Sequence, residues 1–183
     1  AEIDDATYEH MSGLRLIPAS LTLEDLKGVD IAKIKNVLEH INKYFGDTDI
    51  VLVDAAPGLG REAMITMKTS NEVLIVTTPY VPSIVDVIKT RQVAEDNNIR
   101  VLGLVVNMGF RDKHELSIPE IESLSELPVL ASIPFDKSVL KSLSMRIPST
   151  LLYPNSRSTK EFIKLASLII GEEYRRKSIF DVI

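Results

Sequence analysis

Short, continuous aliphatic runs alternate along this chain with longer amphipathic stretches. The runs are LRLIPAS (Leu14–Ser20), DIVLVDA (Asp49–Ala55), EVLIVTTP (Glu72–Pro79), RVLGLVVN (Arg100–Asn107) and PVLASIP (Pro128–Pro134). Unbroken runs of this length, in place of strict alternation, predict strands buried on both faces, as in a parallel sheet. Between them the period changes to that of a helix. Asp30–Phe45 spaces Ile31, Ile34, Val37, Leu38 and Ile41 three and four apart, with Asp30 placed to cap its start and Gly46 just past its end. Pro82–Asn97 opens on proline and repeats Ile84, Val87, Ile88 and Val93. Asp136–Met145 would turn Val139, Leu140 and Leu143 inward. Ser158–Gly171 carries a stripe of Phe162, Leu165, Ala166 and Ile169, with Ser158 and Glu161 spaced as a capping box. Ser117–Leu127 is a weaker helix of the same kind. Strand–helix alternation with short connections predicts a doubly wound α/β domain, a mainly parallel sheet between helical layers. No linker or internal repeat interrupts residues 1–183, so a single domain is expected.

Composition narrows the function classes. At 183 residues and 45% hydrophobic, with a mean hydropathy of +0.10, the chain has the content of a packed core. Its 21 basic and 26 acidic residues leave a net charge of −5, which disfavours nucleic acid as the main partner. The absence of cysteine excludes disulfides, thiolate-held zinc and cysteine-held iron–sulfur clusters on these residues. His10, His40 and His114 lie far apart, without metal-ligand spacing. No apolar run reaches the roughly 18 residues that span a bilayer, and no secretory signal opens the chain, so a cytoplasmic location is expected. The first residues, AEIDDATYEHMSG, are polar and lack an initiator methionine, and read as the interior of a longer chain or as a processed start.

Ligands of open parallel sheets gather at the carboxyl ends of the strands. The residues following the predicted strands are Pro18-Ala19-Ser20, Asp54-Ala55-Ala56-Pro57-Gly58, Thr77-Thr78-Pro79, Asn107-Met108-Gly109 and Pro134-Phe135-Asp136. A carboxylate in the position of Asp54 can hold a magnesium ion beside a phosphate loop. Gly58 and Gly60 behind it would let backbone approach a terminal phosphate. Equally, Asp54 can cap its own loop while the glycines make a turn. The Asn107 amide offers a donor and an acceptor to a purine edge, or simply forms a turn before Gly109. Pro134-Phe135-Asp136 can present backbone and an aromatic face to a base, or start a helix capped by Asp136; the two do not exclude each other. Arg175-Arg176-Lys177 near the end can touch anionic lipid or form a solvated helix end.

At DIVLVDAAPGLGREAM the chain resembles the MinD/ParA family of deviant Walker-A P-loop ATPases, most of all its archaeal MinD-type members. The resemblance continues in order through EVLIVTTPYVPSIVDVIKT, VLGLVVNM and VLASIPFDKSVLKSLSMRIPSTLLYPNSRSTKEFIKLASLI, with LRLIPAS ahead of them. It implies a three-layer α/β/α P-loop NTPase fold that is truncated at its N-terminus. It implies that Asp54 is the Walker-B and switch II aspartate acting on Mg²⁺, and that Pro57, Gly58 and Leu59 form the turn sensing the γ-phosphate. Asp54 and Gly58 are thereby the catalytic candidates. Asn107, Met108, Pro134, Phe135 and Asp136 would line the adenine pocket of ATP or ADP, and Asp86 would lie near a dimer face. The family's glycine-rich loop with its signature lysine, and its switch I aspartate, have no counterpart in the sequence. Without that loop the chain as given is expected not to hydrolyse ATP. Phe135 and Tyr80 stand where the family usually has glutamate. The resemblance further implies an ATP-dependent homodimer, a division-regulator partner and attachment to an anionic membrane surface. The tail YRRKSIFDVI (174–183) is a short candidate for that attachment. A plasmid- or chromosome-partition ATPase and a non-catalytic binding domain are the alternatives. An iron–sulfur carrier of the same superfamily would need cysteines that these residues lack.

Overall fold

The computed structural model describes residues 7–10, 13–18, 36, 41, 45–46 and 48–172. Its backbone divides into two compact units, Ala1–Ser70 and Asn71–Ile183.

In the first unit, β1 (Tyr8–Glu9) and β2 (Arg15–Leu16) pair antiparallel. The predicted strand Leu14–Ser20 is thus cut to two residues, and its partner is an antiparallel ribbon, not a parallel strand; Ala19 and Ser20 lie outside the described residues. Arg15 fastens the ribbon, donating to Thr48 Oγ1 at 2.6 Å and lying 4.8 Å over the Phe45 ring. Asn36 and Ile41 are helical, as the pattern over Asp30–Phe45 predicts, whereas Phe45 is not; residues 30–35, 37–40 and 42–44 lie outside the described residues. The run Asp49–Ala55 departs from expectation. It forms no strand, and Ile50, Val51, Leu52 and Val53 are all exposed, Leu52 at 83%. A strand needs a neighbour to take its amides and carbonyls, and no described residue pairs with this run. A helix that the periodicity did not single out, α1 (Arg61–Thr69), follows the Pro57-Gly58-Leu59-Gly60 turn and buries Ala63 and Met67.

The second unit holds a parallel sheet in the order β3 (Glu72–Thr77), β4 (Arg100–Gly109), β5 (Val129–Pro134). The connections are α2 (Val81–Asp96) and α3 (Ile118–Ser125), and α4 (Lys137–Met145), α5 (Ser149–Leu152) and α6 (Arg157–Ile170) follow the last strand. All three runs form parallel strands as their sequences predict, but only β4 packs through both faces; β3 leaves Val76 62% exposed and β5 leaves Ser132 exposed. Leu104 and Val106 meet Ile75 of β3, Ile84 and Val87 of α2 and Ile121 of α3 on one side. Val105, with Ala131 and Ile133 of β5, meets Phe162 and Leu165 of α6 on the other. Helices therefore cover the sheet on two sides, giving three layers.

Glycine 103 sits at the one irregularity in the core. Val73 pairs with Val101 and Leu74 with Gly103, so Leu102 is an extra residue in β4. The kink brings Gly103 to φ +146 and so close to β5 that an added Cβ would lie 2.6 Å from the Pro128 carbonyl oxygen and 2.9 Å from Leu130 Cγ.

Several helix ends follow the sequence. Asp136 caps α4, Oδ1 accepting from Ser138 N at 2.8 Å; α2 opens on proline; Gly171 ends α6 in the left-handed region at φ 74. Two details differ. The cap of α6 is Ser156, which accepts from Thr159 N at 3.1 Å, so the Ser158–Glu161 capping box does not form and Ser158 is buried instead. In α4, Leu140 and Leu143 are 52% and 69% exposed while Ser142 is buried, so its apolar stripe faces outward, against expectation.

Candidate functional site

The carboxyl ends of β4 and β5 are locked together. Pairing of Gly109 with Pro134 puts the next residue of each strand side by side, and Phe135 N donates to the Gly109 carbonyl at 2.9 Å. The rings of Phe110 and Phe135 consequently stack, centroids 4.5 Å apart at 20°. Phe135 thus offers an aromatic surface at the rim, as its sequence suggests, but within a pair whose other member the sequence reading missed. Register was the missing signal: Phe110 and Phe135 each stand one residue beyond a strand end, and only the Gly109–Pro134 pairing makes them neighbours.

Asn107 is half-buried beside this pair. Its Oδ1 accepts from Met108 N at 2.9 Å, which orients the amide and leaves Nδ2 as the group able to donate to a ligand. Met108 takes the left-handed φ of 60 and leaves its side chain 47% exposed. The loop that follows is held by Glu115, another residue the sequence did not bring forward. Its carboxylate accepts from Phe110 N at 2.6 Å, from Arg111 N at 2.8 Å and from the Tyr80 hydroxyl at 3.4 Å. Partial desolvation, then the Glu115 charge, raises the Tyr80 pKa, so its hydroxyl keeps its proton and donates. Leu116 N donates to the Pro79 carbonyl at 2.9 Å, and Thr78 and Ser83 share a hydroxyl hydrogen bond at 2.7 Å, so the rim extends to the end of β3.

Asp136 is spent on structure. Oδ1 takes Ser138 N, and Oδ2 takes Ser158 N at 3.4 Å and Ser158 Oγ at 3.1 Å, tying the starts of α4 and α6 together. These bonds, Ser138's foremost, hold its pKa down to about 2. Its carboxylate is therefore already engaged, and only its backbone remains to face a base.

Asp54, Pro57 and Gly58 belong to the other compact unit, so the structure groups Asn107, Met108, Pro134, Phe135 and Asp136 at one rim and these three in a separate loop. Asp54 is exposed. Gly58 has φ 79, a conformation that glycine adopts at no steric cost, and Gly60 starts α1 without a side-chain cap. No cluster of three or more histidine or acidic groups able to hold a metal occurs among the described residues. Mg²⁺ takes one or two protein carboxylates and completes its octahedron with water and phosphate, and the exposed Asp54 carboxylate is a donor of that kind.

Comparison with known proteins bears on the family and the fold. The family described as "ParA: NUBPL iron-transfer P-loop NTPase" matches residues 27–170. An uncharacterised ATP-binding protein of Methanocaldococcus jannaschii is 35% identical over 172 residues, 93% of this chain and 64% of its own length. An iron-sulfur cluster carrier protein of the same organism is 30% identical over 146 residues, covering 73% of this chain and 50% of its own. The septum site-determining protein MinD of Pyrococcus horikoshii OT3, solved in complex with Mg-ADP, superposes with a TM-score of 0.86 at 26% identity, over 92% of this chain and 69% of that one. The chain thus spans less than two thirds of the length of the curated relatives it matches here. Its fold is that of the MinD-like P-loop NTPases, with helices flanking a parallel sheet. The chain belongs to the ParA family of P-loop NTPases.

Proposed function

We propose that this chain carries the base-recognition rim and the switch II loop of an ATP-binding and ATP-hydrolysing switch that works as a homodimer. The observation that carries the reading is the joined end of β4 and β5, where the oriented Asn107 amide stands beside Pro134 and the Phe110–Phe135 pair. In that reading Asn107 Nδ2 donates to a purine ring nitrogen, Met108, Phe135 and the Asp136 backbone border the ring, and Asp54 lends its carboxylate to Mg²⁺. Bound Mg²⁺ would offset phosphate charge. Gly58 gives the switch turn the freedom to change conformation when the nucleotide changes. The phosphate-cradling loop belongs to none of these 183 residues, so hydrolysis is assigned to the full-length protein.

The task favoured is spatial control of cell division, with a division regulator as partner and the inner face of the membrane as the surface visited. The MinD likeness in fold and sequence supports it. Among the described residues no helix is long and apolar enough to cross a membrane, so attachment would be peripheral. The iron-sulfur cluster carrier relative supports a second reading, iron transfer. In that case the thiolates must come from outside these cysteine-free residues. Partition of DNA is a third task of the same fold, which the net charge of −5 disfavours.

The deciding experiment measures ATP turnover and MgATP affinity of the full-length protein. Asp54→Ala should cut turnover by at least about 100-fold with the fold intact, as expected when a group that positions the metal is lost. Asn107→Ala should weaken ATP binding by about tenfold, the loss of one or two hydrogen bonds. Unchanged turnover in the first variant at saturating Mg²⁺ would overturn the metal assignment. Sedimentation with anionic liposomes should require ATP; equal sedimentation with and without it argues against a membrane switch. Stoichiometric iron binding by purified full-length protein would favour the carrier task.

A further inference from the structure

A cleft of about 290 Å³ lies beside the rim, lined by Arg111, Ser132, Pro134, Arg157, Lys160, Glu161 and Lys164. Its cations come from two elements, the loop after β4 and the first turns of α6. Lys164 is paired with Glu161 at 2.6 Å, whereas Arg111, Arg157 and Lys160 have no carboxylate partner among the described residues. The placement works against the helix. Arg157 is the first residue of α6 and Lys160 the fourth, no acidic residue occupies that first turn, and like charge at the positive end of a helix is unfavourable. The amides there are already taken: Ser158 N donates to Asp136 and Thr159 N to Ser156 Oγ. What the cleft offers is therefore side-chain charge. Arg111 stands on a backbone fixed at φ 59 by Glu115, which limits how far it can retreat.

We infer that this cleft docks an acidic peptide segment of a partner protein, its carboxylates received by Arg111, Arg157 and Lys160. Guanidinium groups bind carboxylates in a fork, and two on facing elements suit successive acidic side chains. Carboxylates on a peptide are favoured over a nucleic-acid backbone on two grounds. The remainder of the chain is acidic enough to give a net charge of −5, which repels a long polyanion. Glu161 also lines the cleft, paired with Lys164, and can accept a peptide N–H, a donor that a phosphodiester backbone lacks. The cleft shares Pro134 with the base rim, but none of the three cations was assigned to the base or the metal.

The test is fluorescence anisotropy of the full-length protein with a labelled, capped hexaglutamate peptide, with and without added salt. Binding should be saturable and weaken with salt, and the double variant Arg157→Gln, Lys160→Gln should lose at least about tenfold in affinity. Lys89→Gln, a charge loss of the same kind at an exposed position of α2, should leave it unchanged. Nucleotide affinity should stay the same in all of them, which separates failure of this site from failure of the nucleotide site. Equal peptide affinity for the wild type and the double variant sinks the proposal. Tighter binding of a 20-base-pair DNA duplex than of the peptide, lost in the same double variant, would reassign the cleft to nucleic acid and overturn the peptide assignment. Displacement of the peptide by inorganic phosphate at equal concentration would show a simple anion site and overturn it too.

Discussion

Asp136 shows how a residue at the edge of a candidate site can also organise the fold. Its carboxylate accepts from Ser138 N, Ser158 N and Ser158 Oγ, bonds favoured by the charged form, and its pKa falls to about 2. The folded value lies below the ordinary carboxylate value of about 3.9, so this stabilisation is complete above about pH 5 and is lost as the pH falls through the folded value. Asp136→Ala should cost about 1–2 kcal/mol near neutral pH, the worth of a cap plus one further charged hydrogen bond. Urea titrations should find that the difference from wild type shrinks toward pH 2. A constant difference across that range would mean that the carboxylate is not ionised in its folded contacts. Gly103 is a second case, decided by space. With Pro128 O 2.6 Å from the added carbon, Gly103→Ala should destabilise by about 2–4 kcal/mol through strain and a shifted β5. Thermal denaturation checks it, and an unchanged melting temperature would show that the strands can part at no cost.

At the scale of elements, the strands read best where both faces are covered. VLGLVVN in β4 is a continuous apolar run because Leu104 and Val106 meet α2 and α3 while Val105 meets α6. The same kind of run in Asp49–Ala55 forms no strand, since periodicity describes a side chain's preference for burial but supplies no neighbouring strand. Helix α4 makes the complementary point. Its Val139, Leu140 and Leu143 spacing is a sound amphipathic pattern, yet Asp136 pins the first turn to α6 and the rotation that follows buries Ser142 instead. Leu143→Glu should therefore change the stability of this chain by no more than about 0.5 kcal/mol, as at other exposed positions. Ile84→Ala in α2, at a residue 1% exposed, should cost about 2–4 kcal/mol. Chemical denaturation of both variants gives the comparison; a large loss for Leu143→Glu would place α4's apolar face in a core.

For the whole molecule, stability should be uneven. The parallel sheet with helices on both faces should protect its amides, while residues 51–56, exposed and without ladder partners, should exchange at rates close to those of an open chain. Hydrogen exchange should therefore find the amides of Leu104, Val105 and Val106 the slowest and those of Val51–Asp54 among the fastest. Equal protection in the two segments would contradict the division into a packed sheet and an unpaired run. The candidate site residues divide in the same way: Asn107 and Pro134 stand on the sheet with Phe135 just past its end, and Asp54 and Gly58 lie in the unpaired segment.

Much of this was written in the residues themselves. The aliphatic runs Glu72–Pro79, Arg100–Asn107 and Pro128–Pro134 determine three parallel strands, of which the central β4 hides both faces. Asp136 and Gly171 mark helix ends because their backbone requirements are local. The ordered set of stretches 49–64, 72–90, 101–108 and 129–169 was enough to point to the family. Tertiary structure decided what depends on neighbours. It set the register that stacks Phe110 on Phe135, the bulge that demands Gly103, the outward turn of Leu143 and the gathering of Arg111, Arg157 and Lys160 around one cleft. Local pattern is a property of consecutive residues, whereas register, rotation and charge convergence arise from contacts between segments far apart in sequence, which only packing brings together.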